Sequence, residues 1–332
     1  MRETAGANVM ARHAGADVFV IDAGTAFDLS AMPKVHQEKV AWGTEDFTQG
    51  PAMTVEQAEK ALKVGMKVAD ECIDKGYNLL VTAEMGIGNT TSTAAIVSAF
   101  LGLPPEFTVG RGTGINDERM AIKRKVVADG LAKNQPRLGD AMDILCKVGG
   151  YDHAGLAGMI LAGARRRIPT MVDGVNATAA ALLAYGLEPA CADYMLCSHL
   201  SAEISHAKML EVLRLTPIVD AGMRLGEGTG ASLAIVILRW RSIPIKNCIS
   251  VVACMRDFIT CLEFLTRVRF SKRTDWRDED FSRSVPYFPL VGLVIGSLLA
   301  AVNYGLFYIE TPLFLRVTLL LLAGIIITGG GA

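Results

Sequence analysis

Short apolar runs alternate with longer amphipathic segments over the first 240 residues of the chain. Each short run is mostly hydrophobic, as expected for strands that are buried on both faces of a parallel sheet. The longer segments repeat apolar residues at helical spacing, and the first of them opens with Thr54 and Gln57, a capping-box arrangement. The alternation predicts an α/β fold: a Rossmann-like domain whose parallel sheet carries helices on both faces. The predicted strands are residues 17–22, 78–83, 168–173 and 192–197, and the predicted helices are 54–76, 90–102, 117–133, 152–166, 175–187, 203–214 and 229–241.

The pattern changes near residue 240, where two long apolar runs follow a charged segment. Residues 284–309 carry no formal charge and are numerous enough to span a bilayer, whereas the run at 313–332, interrupted by Arg316, is marginal. Basic residues crowd positions 267–283, so the positive-inside rule predicts that this end is cytoplasmic. These runs predict a C-terminal helical membrane hairpin; a pair of buried core helices is the alternative. The predicted organisation is an α/β domain at 1–241, a linker with an amphipathic and basic segment at 242–284, and two candidate transmembrane helices at 285–332.

Composition and charge narrow the class of protein. The formal net charge is −1 over 332 residues, so no global positive field attracts nucleic acid. The seven cysteines form no CxxC pair and no zinc spacing, which is typical of reduced thiols in a cytoplasmic protein. The N-terminal residues lack an apolar core of signal-peptide length. His199 and His206 are seven residues apart and could share a helix face, but no third ligand stands at a recognisable spacing, so we expect no metal site.

Four stretches rich in glycine and hydroxyl groups fall where predicted strands end or helices begin, and parallel strands bring their carboxyl ends to one edge. The first, EMGIGNTT at 84–91, directly follows the strand predicted at 78–83. Its glycines let the backbone approach an anion, and the following helix N-terminus offers unpaired N–H groups. The alternative is an ordinary strand-to-helix turn, which needs glycine and an Asn or Thr cap in any case.

The second and third stretches add charged side chains to this edge. GRGTGIND at 110–117 is followed by Lys123, which could reach back as a counter-charge for a phosphate, while Asn116 or Asp117 caps the next helix. A flexible loop with a solvated lysine is the alternative. In VDGVNAT at 172–178, Asp173 and Gly174 end a strand and open a helix, so Asp173 either caps that helix or holds ribose hydroxyls.

The fourth stretch, RLGEGTGA at 224–231, places Glu227 between two glycines. A carboxylate in that position has no helical partner and little side-chain cover, so the fold alone does not explain it. We therefore predict a chemical role for Glu227.

Taken in order, the stretches EMGIGNTT, GRGTGIND, DGVNATAAALLA, SHLSAEISH and RLGEGTGASLA resemble motifs of the nicotinate-nucleotide–dimethylbenzimidazole phosphoribosyltransferase family of cobalamin biosynthesis. The resemblance covers about residues 7 to 238. A second one follows, because CLEFLTRVRF and FSRSVPYFPLVGLVIGSLLA are similar to the opening of cobalamin synthase, the membrane enzyme that joins α-ribazole to adenosylcobinamide-GDP. Two neighbouring steps of one pathway on a single chain support each other.

The first resemblance implies transfer of phosphoribose from nicotinate mononucleotide to 5,6-dimethylbenzimidazole by a homodimer without cofactor or metal, giving α-ribazole 5′-phosphate and nicotinate. It implies that Glu227 is the general base that removes the proton of the attacking benzimidazole. Glu84 would support the positive charge of an oxocarbenium-like transition state. The implied substrate-binding residues are Gly86, Ile87, Gly88, Asn89, Thr90, Thr91, Gly112, Gly114 and Lys123 for the 5′-phosphate, Asp173, Gly174 and Ser201 for the ribose or nicotinate, and Gly226 beside the base.

The chain departs from the pattern of both families at its ends. The transferase family carries a longer N-terminal segment, with a DHGV-like motif and residues that line the benzimidazole pocket, so we expect only part of that pocket here. The synthase family continues into acidic, metal-binding segments after the point where this sequence stops, so we expect no adenosylcobinamide-GDP ribazoletransferase activity. Two hypotheses remain: a cytoplasmic transferase domain anchored in the inner membrane by the hairpin, or an inactive nucleotide-binding remnant that serves as a membrane scaffold of the pathway.

Overall fold

The computed structural model describes residues 5–112, 114–242 and 288–328. The chain divides into two compact units, Met1–Arg241 and Ser242–Ala332. The predicted linker lies outside the described residues from position 243 onward. In the first unit the helices are α1 (Gly6–Ala14), α2 (Val55–Asp74), α3 (Asn89–Leu101), α4 (Asp117–Asn134), α5 (Ala141–Val148), α6 (Tyr151–Arg165), α7 (Val175–Leu187), α8 (His206–Leu213) and α9 (Thr229–Ser242), and the strands are β1 (Val20–Asp22), β2 (Val35–Gln37), β3 (Leu80–Val81), β4 (Thr170–Val172), β5 (Met195–Ser201) and β6 (Pro217–Met223).

The main sheet has four strands in the order β3-β4-β5-β6, and all neighbouring pairs are parallel. Helices connect each strand to the next one and cover both faces of the sheet, which confirms the predicted α/β fold. Because all four strands are parallel, their carboxyl ends lie at the same edge. That edge is where a parallel sheet binds its ligands.

The strand predicted at 17–22 forms outside the main sheet. β1 pairs instead with β2 in a separate two-stranded parallel sheet, with Val20 opposite Val35. Phe19 and Ile21 pack on the end of α2 rather than among the central strands. A short apolar run looks the same in either setting, so the sequence pattern did not distinguish the two sheets.

Several elements differ from the predicted ones. β2, β6, α1 and α5 were not predicted; β6 starts at a proline and alternates little, since it is an outer strand with half-exposed residues. The strand predicted at 192–197 begins only at Met195, after a 3₁₀ turn. The helix predicted at 203–214 begins at His206, so His199 in β5 and His206 in α8 do not share a helix face.

The predicted capping box at the start of α2 is confirmed. Thr54 Oγ1 accepts the Gln57 N–H at 3.2 Å, and Gln57 Oε1 accepts the Thr54 N–H at 2.9 Å. These two bonds fix the first turn of a helix of 20 residues that packs along α6.

The second unit has two described helices, α10 (Phe288–Tyr308) and α11 (Leu313–Thr328), which pack against each other as a hairpin. Among the described residues, Val291–Tyr308 is the helix segment long and apolar enough to cross a membrane, and α11 is a shorter apolar helix. The hairpin exposes large apolar side chains, such as Phe314 at 85%. An apolar surface of this kind is suited to a lipid environment.

Helices α2 and α6 approach each other through glycines. A Cβ added to Gly158 would lie 2.0 Å from Leu62 O, and one added to Gly65 would lie 1.8 Å from Gly155 O. Both obstructing atoms belong to the backbone and cannot rotate away. The glycines are therefore required for this close helix packing, which supports the core beneath the sheet.

We expect Gly158→Ala to lower the free energy of unfolding by about 1–3 kcal/mol, the usual cost of overpacking. Gly155→Ala, three residues earlier on α6, is the matched control, because a Cβ there meets nothing within 4 Å. Alanine also has the higher helix propensity, so the control should be neutral or slightly stabilising. Denaturant unfolding of the full chain in detergent measures both variants, and equal midpoints would contradict the close packing.

Candidate active site

Four strand ends bring the predicted stretches together at the carboxyl edge of the main sheet. Glu84 follows β3, Asp173 follows β4, Ser201 ends β5, and Glu227 follows β6. β3 and β6 are the two outer strands, yet their following loops fold toward each other. A Cβ added to Gly226 would lie 3.4 Å from Glu84 Oε1. The edge is therefore a compact site rather than a row of separate loops.

Lys123 is buried and points at the predicted phosphate-binding loops. Its Nζ donates to Thr90 Oγ1 at 2.8 Å and to Gly110 O at 3.1 Å. A Cβ added to Gly112 would meet Thr90 Oγ1 at 3.1 Å and Lys123 Nζ at 3.6 Å, so the three residues meet in one place. Burial lowers the pKa of Lys123, and the charge of Glu203 partly offsets that effect. The alternative of a solvated lysine does not describe this side chain.

Glu203 contacts the same loop, and sequence reasoning gave it no role. Its Oε1 accepts the Gly112 N–H at 3.0 Å, and its own N–H donates to Ser201 Oγ at 3.3 Å. The Glu203 carboxylate thus accepts a backbone N–H that could otherwise bind an anionic ligand, and it lies beside the Lys123 ammonium. Its position in SHLSAEISH, directly after a strand, was the signal available in the sequence.

The place where Lys123, the Gly112 N–H and Glu203 meet is called the cradle. A cavity of about 420 Å³ opens beside it. Three arginines line it, and Arg111 is paired with Asp117 at the start of α4. The positive charge of the lining favours an anionic ligand. The lining residues are Val109, Gly110, Arg111, Asp117, Met120, Arg124, Ala202, Glu203, Ile204 and Arg224.

Glu227 stands in an unusual turn between β6 and α9. Gly226, Glu227 and Gly228 all have positive φ, at 76°, 57° and 76°. A left-handed conformation at a glutamate costs free energy of order 1–3 kcal/mol and persists only where its surroundings impose it. The Glu227 side chain is half-buried and lies at the edge next to the loop of Glu84.

Asp173 imposes that turn. Its side chain is 2% exposed, its Oδ2 accepts the Gly228 N–H at 3.0 Å, and its Oδ1 accepts the Ala231 N–H at 2.8 Å. The carboxylate therefore caps α9 from the end of β4, and it faces backbone rather than open space. Burial raises the pKa of Asp173, while the two N–H groups and His199 act in the opposite direction.

Glu84 is half-buried and held by two amides. Asn176 Nδ2 on α7 donates to Oε1 at 3.0 Å, and Asn89 Nδ2 at the start of α3 donates to Oε2. Burial raises the pKa of Glu84; the Asn176 hydrogen bond lowers it, and the neighbouring charge of Asp152 raises it further. Asp152 and Asn176 had no role in the sequence analysis: Asp152 lies in none of the four stretches, and Asn176 lies in VDGVNAT but was not singled out.

His206 is buried as a neutral imidazole. Its Nδ1 accepts the Ser201 N–H at 2.8 Å, so its hydrogen is on Nε2, which faces Thr178 Oγ1 at 2.8 Å while that hydroxyl donates to Gly174 O. Burial lowers the pKa of His206 to about 3. Both ring nitrogens are thus committed to the fold. Among the residues that the structure describes, no three His, Cys, Asp or Glu side chains form a metal site.

The remaining residues predicted for the site lie at the start of α3, at the start of α7 and in the turn before α4. The loop with Gly86, Ile87 and Gly88 leads into α3, whose first turn contains Asn89, Thr90 and Thr91. Gly174 is the N-cap residue of α7. Gly114 is exposed in a turn with open space around it, so the structure does not bring it to Lys123 as it does Gly112.

Comparison with known proteins gives the family that each part of the chain matches. A family model described as phosphoribosyltransferase matches residues 1–247, and one described as cobalamin-5-phosphate synthase matches residues 257–331. The first unit is thus of the phosphoribosyltransferase class. The crystal structure of CobT from Thermus thermophilus matches with a TM-score of 0.69 and 43% identity, covering 72% of this chain and 71% of that one.

The particular family follows from the curated relatives. Nicotinate-nucleotide–dimethylbenzimidazole phosphoribosyltransferase of Chloroflexus aggregans is 48% identical over 234 residues, 70% of this chain and 66% of the relative. The enzyme of the same name from Geobacter sulfurreducens is 49% identical over 238 residues, 72% and 68% of the two chains. The chain belongs to the nicotinate-nucleotide–dimethylbenzimidazole phosphoribosyltransferase family. It spans about two thirds of the length of these relatives.

Proposed function

We propose that the chain transfers the phosphoribosyl group of nicotinate mononucleotide to 5,6-dimethylbenzimidazole, giving α-ribazole 5′-phosphate and nicotinate. The observation that carries the proposal is the Glu227 turn. A carboxylate is presented in a left-handed conformation at the same sheet edge as a buried lysine and the anion-favouring loops. Strain of this kind is typical of residues held for chemistry.

The donor nucleotide fits with its 5′-phosphate toward Lys123. The Gly112 N–H, the Lys123 ammonium and the nearby Arg224 supply hydrogen bonds and positive charge for a phosphate. The incoming phosphate replaces the Glu203 carboxylate on the Gly112 N–H. Glu203 thus serves as an internal anion that occupies the cradle before the substrate does.

The acceptor fits on an apolar surface beside the two carboxylates. Met85, Ile87 and Leu225 flank Glu84 and Glu227 in sequence and expose 76%, 101% and 65% of their surface. Large apolar side chains exposed around a polar centre are typical of a binding surface for a planar aromatic ligand. A homodimer, which the family resemblance implies, remains a prediction.

The chemistry uses the carboxylates in two ways. One benzimidazole nitrogen attacks C1′ while the C1′–N bond of nicotinate breaks, and the bonding electrons neutralise the pyridinium nitrogen. Glu227 removes the N–H proton from the other benzimidazole nitrogen as general base. Glu84, ionised and fixed by two amides, stabilises the positive ribosyl centre. The pyridinium is already an electron-poor leaving group, so the step needs no further activation of nicotinate.

We also propose that the C-terminal hairpin anchors the domain in the cytoplasmic membrane. The match to a synthase family model and the apolar helix Val291–Tyr308 support this location.

The wild-type chain should remain in the membrane pellet after alkaline carbonate extraction. Leu298→Asp, near the centre of α10, should weaken insertion by about 3–4 kcal/mol, because it adds a charge and removes an apolar side chain. Extraction of the wild-type chain into the carbonate supernatant would contradict the anchor.

The catalytic proposal predicts a loss of turnover without a loss of binding in Glu227→Gln. The amide keeps the size of the side chain but cannot accept the proton, so we expect product formation to fall by about 10²–10⁴-fold. Detergent-solubilised protein is incubated with nicotinate mononucleotide and 5,6-dimethylbenzimidazole, and α-ribazole 5′-phosphate is measured by mass spectrometry. The dissociation constant of nicotinate mononucleotide, measured by calorimetry, should be unchanged.

The control variant is Glu59→Gln, which removes an exposed carboxylate from α2 and should leave both quantities as in the wild type. Weaker nucleotide binding with turnover retained in Glu227→Gln would contradict the role of the base. Nucleotide binding without any product in the wild-type chain would support the inactive remnant instead.

A further inference from the structure

Six polar side chains, including Glu84, form a closed ring of contacts. Only some of them belong to the sequence motifs. The members come from the end of β3, from α3, from α6 and from α7. Each one contacts the next within 3.4 Å. In order around the ring they are Glu84, Asn176, Thr93, His153, Asp152 and Asn89.

The hydrogen bonds on one side of the ring determine where hydrogens lie. Asn176 donates its amide to Glu84, so its Oδ1 is the atom that faces Thr93 Oγ1 at 2.8 Å. The single hydroxyl hydrogen of Thr93 is used in that bond. Thr93 Oγ1 must therefore accept from His153 Nε2, 2.9 Å away, and this ring nitrogen carries a hydrogen.

The other side of the ring assigns the second hydrogen. His153 Nδ1 lies 3.0 Å from Asp152 Oδ1, an ion-pair contact outside hydrogen-bond geometry, and Oδ1 accepts the His153 backbone N–H at 2.8 Å. Although burial opposes ionisation, the charge and hydrogen bonds of His153 lower the pKa of Asp152 to about 2. Both oxygens of Asp152 face N–H donors, the His153 backbone N–H on Oδ1 and the Asn89 amide on Oδ2, so Asp152 is a carboxylate. An Nδ1 lone pair 3.0 Å from that carboxylate would be repelled, so Nδ1 carries a hydrogen. His153 then has hydrogens on both nitrogens and is an imidazolium.

The charges of the ring explain why an imidazolium matters. Asn89 Nδ2 faces Glu84 Oε2 and, at 3.4 Å, Asp152 Oδ2, so one amide stands between two carboxylates. Asp152 repels the charged form of Glu84, and His153, 1% exposed, is the one cation among the six side chains. The charged groups that face the imidazole are Asp152 on its own helix and Glu84 across the ring. Without the imidazolium, two half-buried carboxylates would face each other across the neutral Asn89 amide.

We propose that His153 is a charged positioning residue, whose imidazolium offsets the Asp152 carboxylate so that Glu84 stays ionised and fixed toward the ribosyl group. The inference rests on the proposed function only for the role of Glu84. The charge of His153 itself is a property of the fold and is measurable without substrate.

Ring-nitrogen NMR of the full chain labelled with ¹⁵N-histidine tests the charge directly. The chain has five histidines, and the signal that disappears in His153→Gln belongs to His153. We expect both of its nitrogens to remain protonated at pH 8, above the ordinary pKa of histidine. His206 is the internal control, because its pKa of about 3 predicts a neutral ring at pH 5 in the same spectra. A neutral His153 at pH 8 would overturn the proposal.

Enzyme kinetics test the positioning role. At pH 7, His153→Gln should lower kcat by about tenfold for each unit by which the raised pKa of Glu84 exceeds 7, because Glu84 is then mostly protonated, with nicotinate mononucleotide binding unchanged. The loss should diminish as the pH is raised. The double variant Asp152→Asn/His153→Gln removes the repelling carboxylate as well, and should recover most of kcat at pH 7. A loss that is independent of pH and as large in the double variant would show a packing role only and overturn the proposal.

The experiments distinguish failure of the proposed function from failure of the His153 proposal. If the wild-type chain makes no product, the proposed function fails, while the ring-nitrogen spectra still decide the charge of His153. If His153→Gln does not fold, Asp152→Asn alone replaces it: removing the carboxylate should convert His153 to the neutral form at pH 8. A His153 that stays charged in Asp152→Asn would contradict the ion pair.

Discussion

The carboxylate of Asp173 is the contact on which the site depends. It lies at the end of an inner strand and binds the N–H groups of Gly228 and Ala231, which belong to the loop and helix after an outer strand. This capping keeps three consecutive residues in the left-handed region and presents Glu227 at the sheet edge beside the loop of Glu84. A buried structural carboxylate thus sets the position of the one assigned to chemistry.

Much of the fold followed from the periodicity of the sequence. The helix 175–187 and the helix start at Asp117 were predicted to the residue, and the second is fixed by Asn116, whose side chain caps the helix by accepting the Arg119 N–H. The separate β1–β2 sheet and the outer strand β6 did not follow, because three-residue strands and a half-exposed strand carry no distinctive period. Which sheet a strand joins is decided by tertiary packing, here by Phe19 against Tyr77.

The sequence likewise identified some residues of the candidate site and missed others. Residues that follow a strand, such as Glu84 and Glu227, were identifiable because parallel strands end at one edge. Glu203 on the Gly112 N–H and the Asp152–His153 pair were not. Glu203 binds a loop 91 residues earlier in the chain, and the pair reaches the site through contacts with Asn89 and Thr93 on the distant helix α3. The sequence left undecided whether Asp173 caps a helix or binds ribose. In the structure its carboxylate caps α9, and the Gly228 N–H that it accepts lies 55 residues further along the chain.

The central claim is that the carboxyl edge of the sheet is a phosphate cradle beside a pair of carboxylates. Calorimetric titration of the full chain with nicotinate mononucleotide and with nicotinate riboside, which lacks only the phosphate, tests it most directly. Loss of the charge-assisted bonds to Lys123 and the Gly112 N–H should weaken the riboside by at least about tenfold, or roughly 1.4 kcal/mol. Equal affinities for the two ligands would contradict the cradle, and with it the orientation of the substrate toward Glu227.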